Sequence, residues 1–244
     1  EHLLNPKEFW GEYVIPSISR DDPAFKDNNY WRGRIWGPMN FLVYEGLRQY
    51  GFDQTSYLFA LKSVRLFMKE WLEESHYHEN YNAETGEGDD VPNSDPFYSW
   101  GALLALIGVE ELFDVEESGL RFGSLGVQEI NELHNYRVGS DTYSIKVGPN
   151  TTEARRNGKL FFRADNAVVV RSYRKLPDSV EFTMKGNGLT KISVIEFNPS
   201  TRVEVCIDGK CMETMTDGDG AVSFEAELDQ RKHVHIKISV LQRR

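Results

Sequence analysis

The grammar of the chain changes near Gly119, and this change constrains the fold more than any single motif. Before it, apolar residues recur at helical spacing: Met39, Leu42, Val43 and Leu47, then Leu58, Leu61, Val64, Leu66, Phe67 and Trp71. These runs predict helices over Pro38–Tyr50, stopped by Gly51, and over Gln54–Leu72. A third helix is expected over Phe97–Phe113, apolar on most faces and so deeply packed, and a short one near Glu8. After Gly119, short strand-like runs follow: Thr142–Val147, Lys159–Arg163, Ala167–Tyr173, Val180–Met184, Lys191–Phe197, Arg202–Ile207, Ala221–Glu227 and His233–Val240. Turn signals such as Asn157-Gly158, Asn187-Gly188 and Asp208-Gly209 part them. The expected class is α + β and multidomain, with a helical domain over 1–118 and an antiparallel β-sandwich over 119–244.

Charge and aromatics follow the same division. Residues 1–118 hold nine Lys and Arg against 22 Asp and Glu, a net −13, while the remainder carries +3. All five Trp and 21 of the 30 aromatic residues lie in the first part. An acidic, aromatic-rich surface excludes nucleic acid, whose phosphates need clustered Lys and Arg. It suits a neutral, polyhydroxylated ligand. No apolar run reaches the roughly 18 residues of a membrane helix, so no membrane partner is expected. Three helices enclose a core with difficulty, so residues 1–118 read as the final part of a larger helical domain. A complete small helical domain is the alternative.

Three segments carry chemistry. In Asn29–Asn40, Trp31, Arg32, Trp36 and Asn40 converge before a helix start; indole faces stack on sugar C–H faces, and Arg and Asn bond hydroxyls. The plainer reading is an aromatic knot with Arg32 or Arg34 stacked on it. In the aperiodic stretch Glu73–Asp95, Glu79 sits among aromatics and amides, placed to deprotonate a water. A solvated loop carboxylate is the bland counterpart. His76 and His78 share a face in an extended segment, but without a Cys or an identifiable third ligand no metal is expected. The acidic loop lacks calcium-loop spacing. In Asp95–Ala102, Phe97, Tyr98 and Trp100 either wall a pocket or anchor the helix.

Taken together, Tyr-Trp-Arg-Gly-Arg-Ile-Trp-Gly-Pro-Met-Asn at 30–40, His-Glu-Asn-Tyr-Asn-Ala-Glu-Thr-Gly at 78–86 and Phe-Tyr-Ser-Trp-Gly-Ala-Leu at 97–103 resemble glycoside hydrolase family 63 and its trehalase relatives. The order and spacing are those seen near the C-terminal end of that family's six-hairpin (α/α) toroid, and the likeness covers roughly residues 1–115. It implies an inverting glycosidase acting on α-linked glucosides or related small sugars, without a cofactor. In such enzymes an acid and a base stand about 6.5–9.5 Å apart with water between them. The resemblance makes Glu79 the base. Trp31, Arg32 and Trp36 would line the sugar subsite, Trp100 its wall, and Asn80, Tyr81 and Asn82 would support the loop. The family's general acid lies well upstream of the Tyr-Trp-Arg-Gly segment, and nothing before Asn29 matches it. The expected partners are therefore a carbohydrate and the remaining part of the toroid, or another copy of the chain. A non-catalytic sugar-binding or structural module is the runner-up, and a sugar isomerase or epimerase using His76 and His78 a third reading.

In the β-rich part, a type I′ turn at Asp208-Gly209 places Cys206 opposite Cys211, with Cα atoms about 4.5 Å apart, near the short limit for a disulfide. Two reduced thiols in a cytoplasmic protein are the expected state. Arg155-Arg156, His233, His235 and Arg243-Arg244 read as solvated. With no Trp, this part reads as a brace rather than a sugar-binding face.

Overall fold

The computed structural model describes residues 1–241; Arg243 and Arg244 lie outside the described residues. The chain divides into two compact units between Glu110 and Glu111.

The first unit contains the strands β1 (Ile35–Trp36) and β2 (Asn80–Tyr81), the helices α1 (Gly37–Gln49) and α2 (Asp53–Glu74) and, at its end, all but the last two residues of α3 (Leu103–Leu112). Pro38 occupies the first turn of α1, where its missing N–H costs nothing. Gly51 ends that helix at φ 74°, a left-handed conformation, and the next N–H, of Phe52, returns to Leu47 O at 2.9 Å. The stripe of α1 that is buried comprises Asn40, Tyr44, Leu47 and Arg48, not Met39, Leu42 and Val43. In α2 the inward stripe is Tyr57, Phe59, Ala60, Ser63, Leu66 and Glu70, whereas Leu58 and Trp71 face outward. Both helices thus carry apolar residues on both sides. The core gathers Val14, Ile15, Phe25, Ile35, Tyr44, Phe59, Leu66, Tyr81, Leu104 and Ile107.

Two helical expectations are corrected. Near Glu8 there are only turns, because the N–H groups of Glu8, Phe9 and Trp10 all converge on Asn5 O. The third helix does not run from Phe97. A 3-10 turn over Ser99–Ala102 precedes α3, and Phe97 adopts φ 59°. Gly101 lies so close to His78 that a Cβ there would stand 2.2 Å from the His78 carbonyl oxygen. Nor is α3 deeply packed all round: only Leu104, Ile107 and Glu111 are buried.

The second unit is built from β3 (Phe113–Glu116), β4 (Gly119–Gly123), β5 (Asn131–Val138), β6 (Asp141–Gly148), β7 (Thr151–Arg156), β8 (Lys159–Ala164), β9 (Val169–Leu176), β10 (Ser179–Lys185), β11 (Gly188–Ile195), β12 (Arg202–Ile207), β13 (Lys210–Met215), β14 (Ala221–Leu228) and β15 (Val234–Val240). One sheet runs β13-β12-β15-β10-β9-β4-β3 and the other β14-β11-β8-β7-β6-β5, every pairing antiparallel. Alternate residues point inward, as in Val222, Phe224, Ala226 and Leu228 of β14 or Val234, Ile236 and Ile238 of β15. Rings from the two sheets meet in the core: Phe122 with Phe162 at 5.1 Å, Tyr173 with Phe161 at 5.2 Å, and Phe113 with Tyr143 at 4.8 Å. Hence this unit is a β-sandwich. Its first strand lies ahead of Gly119, the expected start, because β3 and β4 form a hairpin with Phe113 opposite Phe122.

Cys206 and Cys211 are bonded, with Cα atoms 4.0 Å apart, which corrects the expectation of two free thiols. The turn is of the expected kind, with Asp208 at φ 47° and Gly209 at φ 81°. Pairing Ile207 with Lys210 then puts the two cysteines face to face at the sheet edge.

Candidate active site

The two-stranded ribbon of β1 and β2 joins the first two sequence segments, setting Trp36 opposite Asn80 and Ile35 opposite Tyr81. The third segment lies alongside. Glu79 N–H donates to Asp95 O at 2.9 Å and Phe97 N–H to Tyr77 O at 2.7 Å. At the start of α1, Gly37 backs onto Trp100, where a Cβ would come within 2.3 Å of its carbonyl oxygen. Glycines at positions 37 and 101 are what let three backbones approach so closely.

Glu79 is only 7% exposed. Its carboxylate accepts a hydrogen bond from Asn80 Nδ2 at 3.3 Å, and Asn80 Nδ2 also donates to Asn93 O at 3.1 Å. Asn80 is in turn fixed by Arg34, whose Nε donates to Asn80 Oδ1. The Arg34 guanidinium, wholly buried, pairs with Asp90 at 2.7 Å. Asp90 thus anchors Arg34, Arg34 orients Asn80, and Asn80 holds Glu79. Burial, and then the nearby charge of Asp95, raise the Glu79 carboxyl above the ordinary glutamate range, against the smaller opposing effect of the Asn80 bond. For Asp90, burial works upward, but hydrogen bonds from Arg34, Asn82 and Asn28 and the Arg34 charge prevail and lower it.

An aromatic cluster stands on the other strand. Trp31 stacks on Trp36 with ring centres 3.8 Å apart and planes within 8°. Trp100 meets Trp36 edge-on at 6.0 Å, and Tyr98 leans on Trp100 at 4.7 Å. Trp31 is 43% exposed, while Trp36 is wholly buried and serves as its backing. The indole N–H of Trp36 donates to Tyr30 O, and that of Trp100, though buried, has no partner among the described residues.

The remaining expected site residues fall elsewhere. Arg32 projects outward and pairs with Asp27 at 3.3 Å. Asn40 is buried with both amide hydrogens committed, one to Ile15 O and one to Trp36 O, while its oxygen accepts from Ile15 N–H. Tyr81 is buried and its hydroxyl oxygen accepts from His78 N–H; burial raises its pKa. Asn82 orders the following turn, its side-chain oxygen accepting from Glu84 and Thr85 N–H. Sequence reasoning left Arg34 and Asp95 out of the site: Asp95 bears on Glu79 through its charge, and Arg34 bears on it only through Asn80. The alternation of Arg32 and Arg34 on an extended segment marks both as facing one way, but which of them is buried depends on Asn80 and Asp90, far along the chain.

Residues 1–101 match the family described as the mannosylglycerate hydrolase MGH1-like glycoside hydrolase domain. A mannosylglycerate hydrolase of Thermus thermophilus is 36% identical over 107 residues, 43% of this chain and 24% of that protein. A mannosyl-oligosaccharide glucosidase of Saccharomyces cerevisiae is 30% identical over 119 residues, 43% of this chain and 14% of that protein. The mannosylglycerate hydrolase MGH1 of Selaginella moellendorffii is 32% identical over 94 residues, 38% of this chain and 17% of that protein. The chain therefore spans a quarter or less of these relatives. By name these relatives are hydrolases and a glucosidase, and over residues 1–101 this chain is similar to that glycoside hydrolase domain.

Proposed function

We propose that residues 1–118 are the closing part of an (α/α) toroid of an inverting glycoside hydrolase, with Glu79 as the general base and the general acid supplied from outside this chain. The substrate class is α-linked glucosides or related small sugars such as mannosylglycerate, the compound named for several relatives. The observation that carries the reading is the state of Glu79. It is a nearly buried carboxylate, held by one amide, with basicity raised by burial and by Asp95. Such a group takes a proton from water more readily than a solvated glutamate does. Asn80 fixes one oxygen and leaves the other for the water. Trp31, backed by Trp36, offers an apolar face of the kind that sugar C–H groups stack on. Arg32, with an exposed guanidinium paired to Asp27, remains able to reach a substrate carboxylate, whereas Asn40 and Tyr81 act by holding the backbone around the site.

The toroid reading has support in the helices themselves. Leu42 is 70% exposed and Leu72 74%, and Leu58 and Trp71 are also exposed on these two helices. Further helices of a toroid would cover them. Among the described residues no helix is long and apolar enough to cross a membrane.

The test is an assay against α-glucosides, trehalose and mannosylglycerate, with the chain alone and with it joined to the upstream toroid of the Thermus thermophilus relative. Turnover is expected only in the joined form, with inversion at the anomeric carbon, and Glu79→Gln should lower kcat by about 10²–10⁴-fold. Unchanged turnover in Glu79→Gln would remove Glu79 as the base.

A further inference from the structure

Beside the candidate active site, and not used by it, lie two histidines and a glutamate that the sequence keeps apart. The helix α2 ends at Ser75, whose left-handed conformation (φ 59°) turns the chain back on itself. The reversal carries His76 and His78 over Glu70 in the last turns of the helix. His76 Nε2 and His78 Nε2 are 2.9 Å apart, and Glu70 Oε2 lies 3.6 Å from each. Glu70 is 5% and His78 3% exposed at the side chain, and His76 is 21% exposed.

Each of the three is oriented by a partner outside the trio or by packing. Glu70 Oε1 accepts from Gly88 N–H at 2.7 Å, which turns Oε2 toward the histidines. His78 Nδ1 lies 3.1 Å from Ser94 O, an acceptor only, so Nδ1 carries the hydrogen and Nε2 presents its lone pair. Gly88 packs so tightly on the His78 ring that a Cβ would lie 2.3 Å from it. The ring of His76 rests edge-on against Phe97 at 5.7 Å. A histidine with one nitrogen bonded to a backbone carbonyl and the other aimed at a carboxylate and a second imidazole is the arrangement in which metal-binding histidines are held.

We propose that Glu70 Oε2, His76 Nε2 and His78 Nε2 form a binding site for a divalent transition-metal ion of the zinc type, leaving a fourth position open toward the exposed side of His76. Ligand bonds of about 2.0–2.1 Å in a tetrahedron put donor atoms about 3.4 Å apart, and the three separations here bracket that value. Two imidazoles and one carboxylate suit zinc, cobalt or nickel, and poorly suit calcium or magnesium, which take oxygen ligands. The ion ties α2 to the segment that continues directly into Glu79. It is a clamp on that segment; no reaction step is assigned to it.

The experiment uses the 244-residue chain and needs no activity. Cobalt(II) titrated into the metal-free protein should give visible d–d bands that saturate at one equivalent and are displaced by zinc(II). Saturating zinc should raise the unfolding midpoint followed by tryptophan fluorescence by about 5–10 °C. The surface-accessible variant His76→Ala should bind cobalt at least ~100-fold more weakly, and Glu70→Gln at least ~10-fold. Should either variant fail to fold, zinc-edge X-ray absorption of the unaltered protein supplies the readout, with two imidazole nitrogens and a carboxylate oxygen expected. No saturable binding tighter than about 100 µM, undiminished binding in a folded His76→Ala, or an absorption spectrum without paired imidazoles overturns the proposal. A histidine pair that only shares a proton with its neighbour gives the first of these results.

Discussion

At the scale of single residues, the state of Glu79 is decided by two neighbours acting in opposite directions. Asp95 lifts its proton affinity through charge, and Asn80 lowers it through a hydrogen bond, while burial outweighs both. A base is lost as pH falls through its pKa, so the acid limb of the pH–rate profile should lie above the ordinary glutamate value of 4.5. Asp95→Asn removes the repulsion and should shift that limb to lower pH, still above 4.5 because the larger cause, burial, remains. A limb that stays in place in the joined enzyme would show that Asp95 does not sense Glu79. The same shift has a sign for stability. A carboxyl whose folded pKa is raised binds its proton more tightly in the native state, so stability falls as pH rises from the unfolded to the folded value. At neutral pH, Glu79→Gln removes the cost of an ionised buried group, and the variant should melt no lower than the parent protein. Asp90 has the opposite sign. Its lowered pKa contributes stability that is present above the unfolded value of 3.8 and is lost as pH falls through the folded one.

At the scale of elements, the site depends on three backbones in close approach more than on any helix. The expected helices α1 and α2 form nearly where the periodicity places them, since Pro38, Gly51 and the apolar spacing are local signals. The faces were harder to read. Asn40 and Arg48 are buried on α1 while Leu42 is exposed, because Ile15 and Trp36 backbone groups and Glu110 occupy the inward side. Gly101 shows how narrow the fit is. In Gly101→Ala the new methyl would meet the His78 carbonyl at 2.2 Å, a backbone atom that yields only by moving the segment bearing Glu79. We expect a loss of about 1–3 kcal/mol in stability of the first unit, from chemical denaturation, and reduced turnover in the joined enzyme. An unchanged unfolding midpoint would refute so close an approach. Strands were legible where they alternate apolar and polar residues and fell from view where they do not. The sequence of β5, Asn131–Val138, is mostly exposed at a sheet edge, and β13 is likewise an exposed edge. The interior strand β7 escaped notice because Thr152 and Ala154, its buried residues, are small.

At the scale of the whole molecule, the chain forms two compact units. All five Trp belong to the first unit, whereas most of the strand structure belongs to the second. Tryptophan fluorescence and far-ultraviolet circular dichroism should therefore report different midpoints in a denaturant titration, the departure from coincidence that marks more than one cooperative transition. Coincident curves would mean that the units unfold as one. The disulfide between Cys206 and Cys211 sits in the second unit, at the edge hairpin.

Local information within a few residues determined much of this protein. It set the change from helical to strand grammar, the stop of α1, the turn that puts Cys206 opposite Cys211, and the motif that contains Glu79. Tertiary structure decided what those residues became. It buried Arg34 rather than Arg32, through a partner 46 positions away in Asn80. It placed Trp36 behind Trp31 as a support, joined the two cysteines, and brought Glu70 to His76 and His78. The physical reason is that periodicity and turn chemistry are properties of neighbouring dihedrals. Burial, proton affinity and the sharing of a ligand depend on groups that only the folded chain brings within a few ångströms.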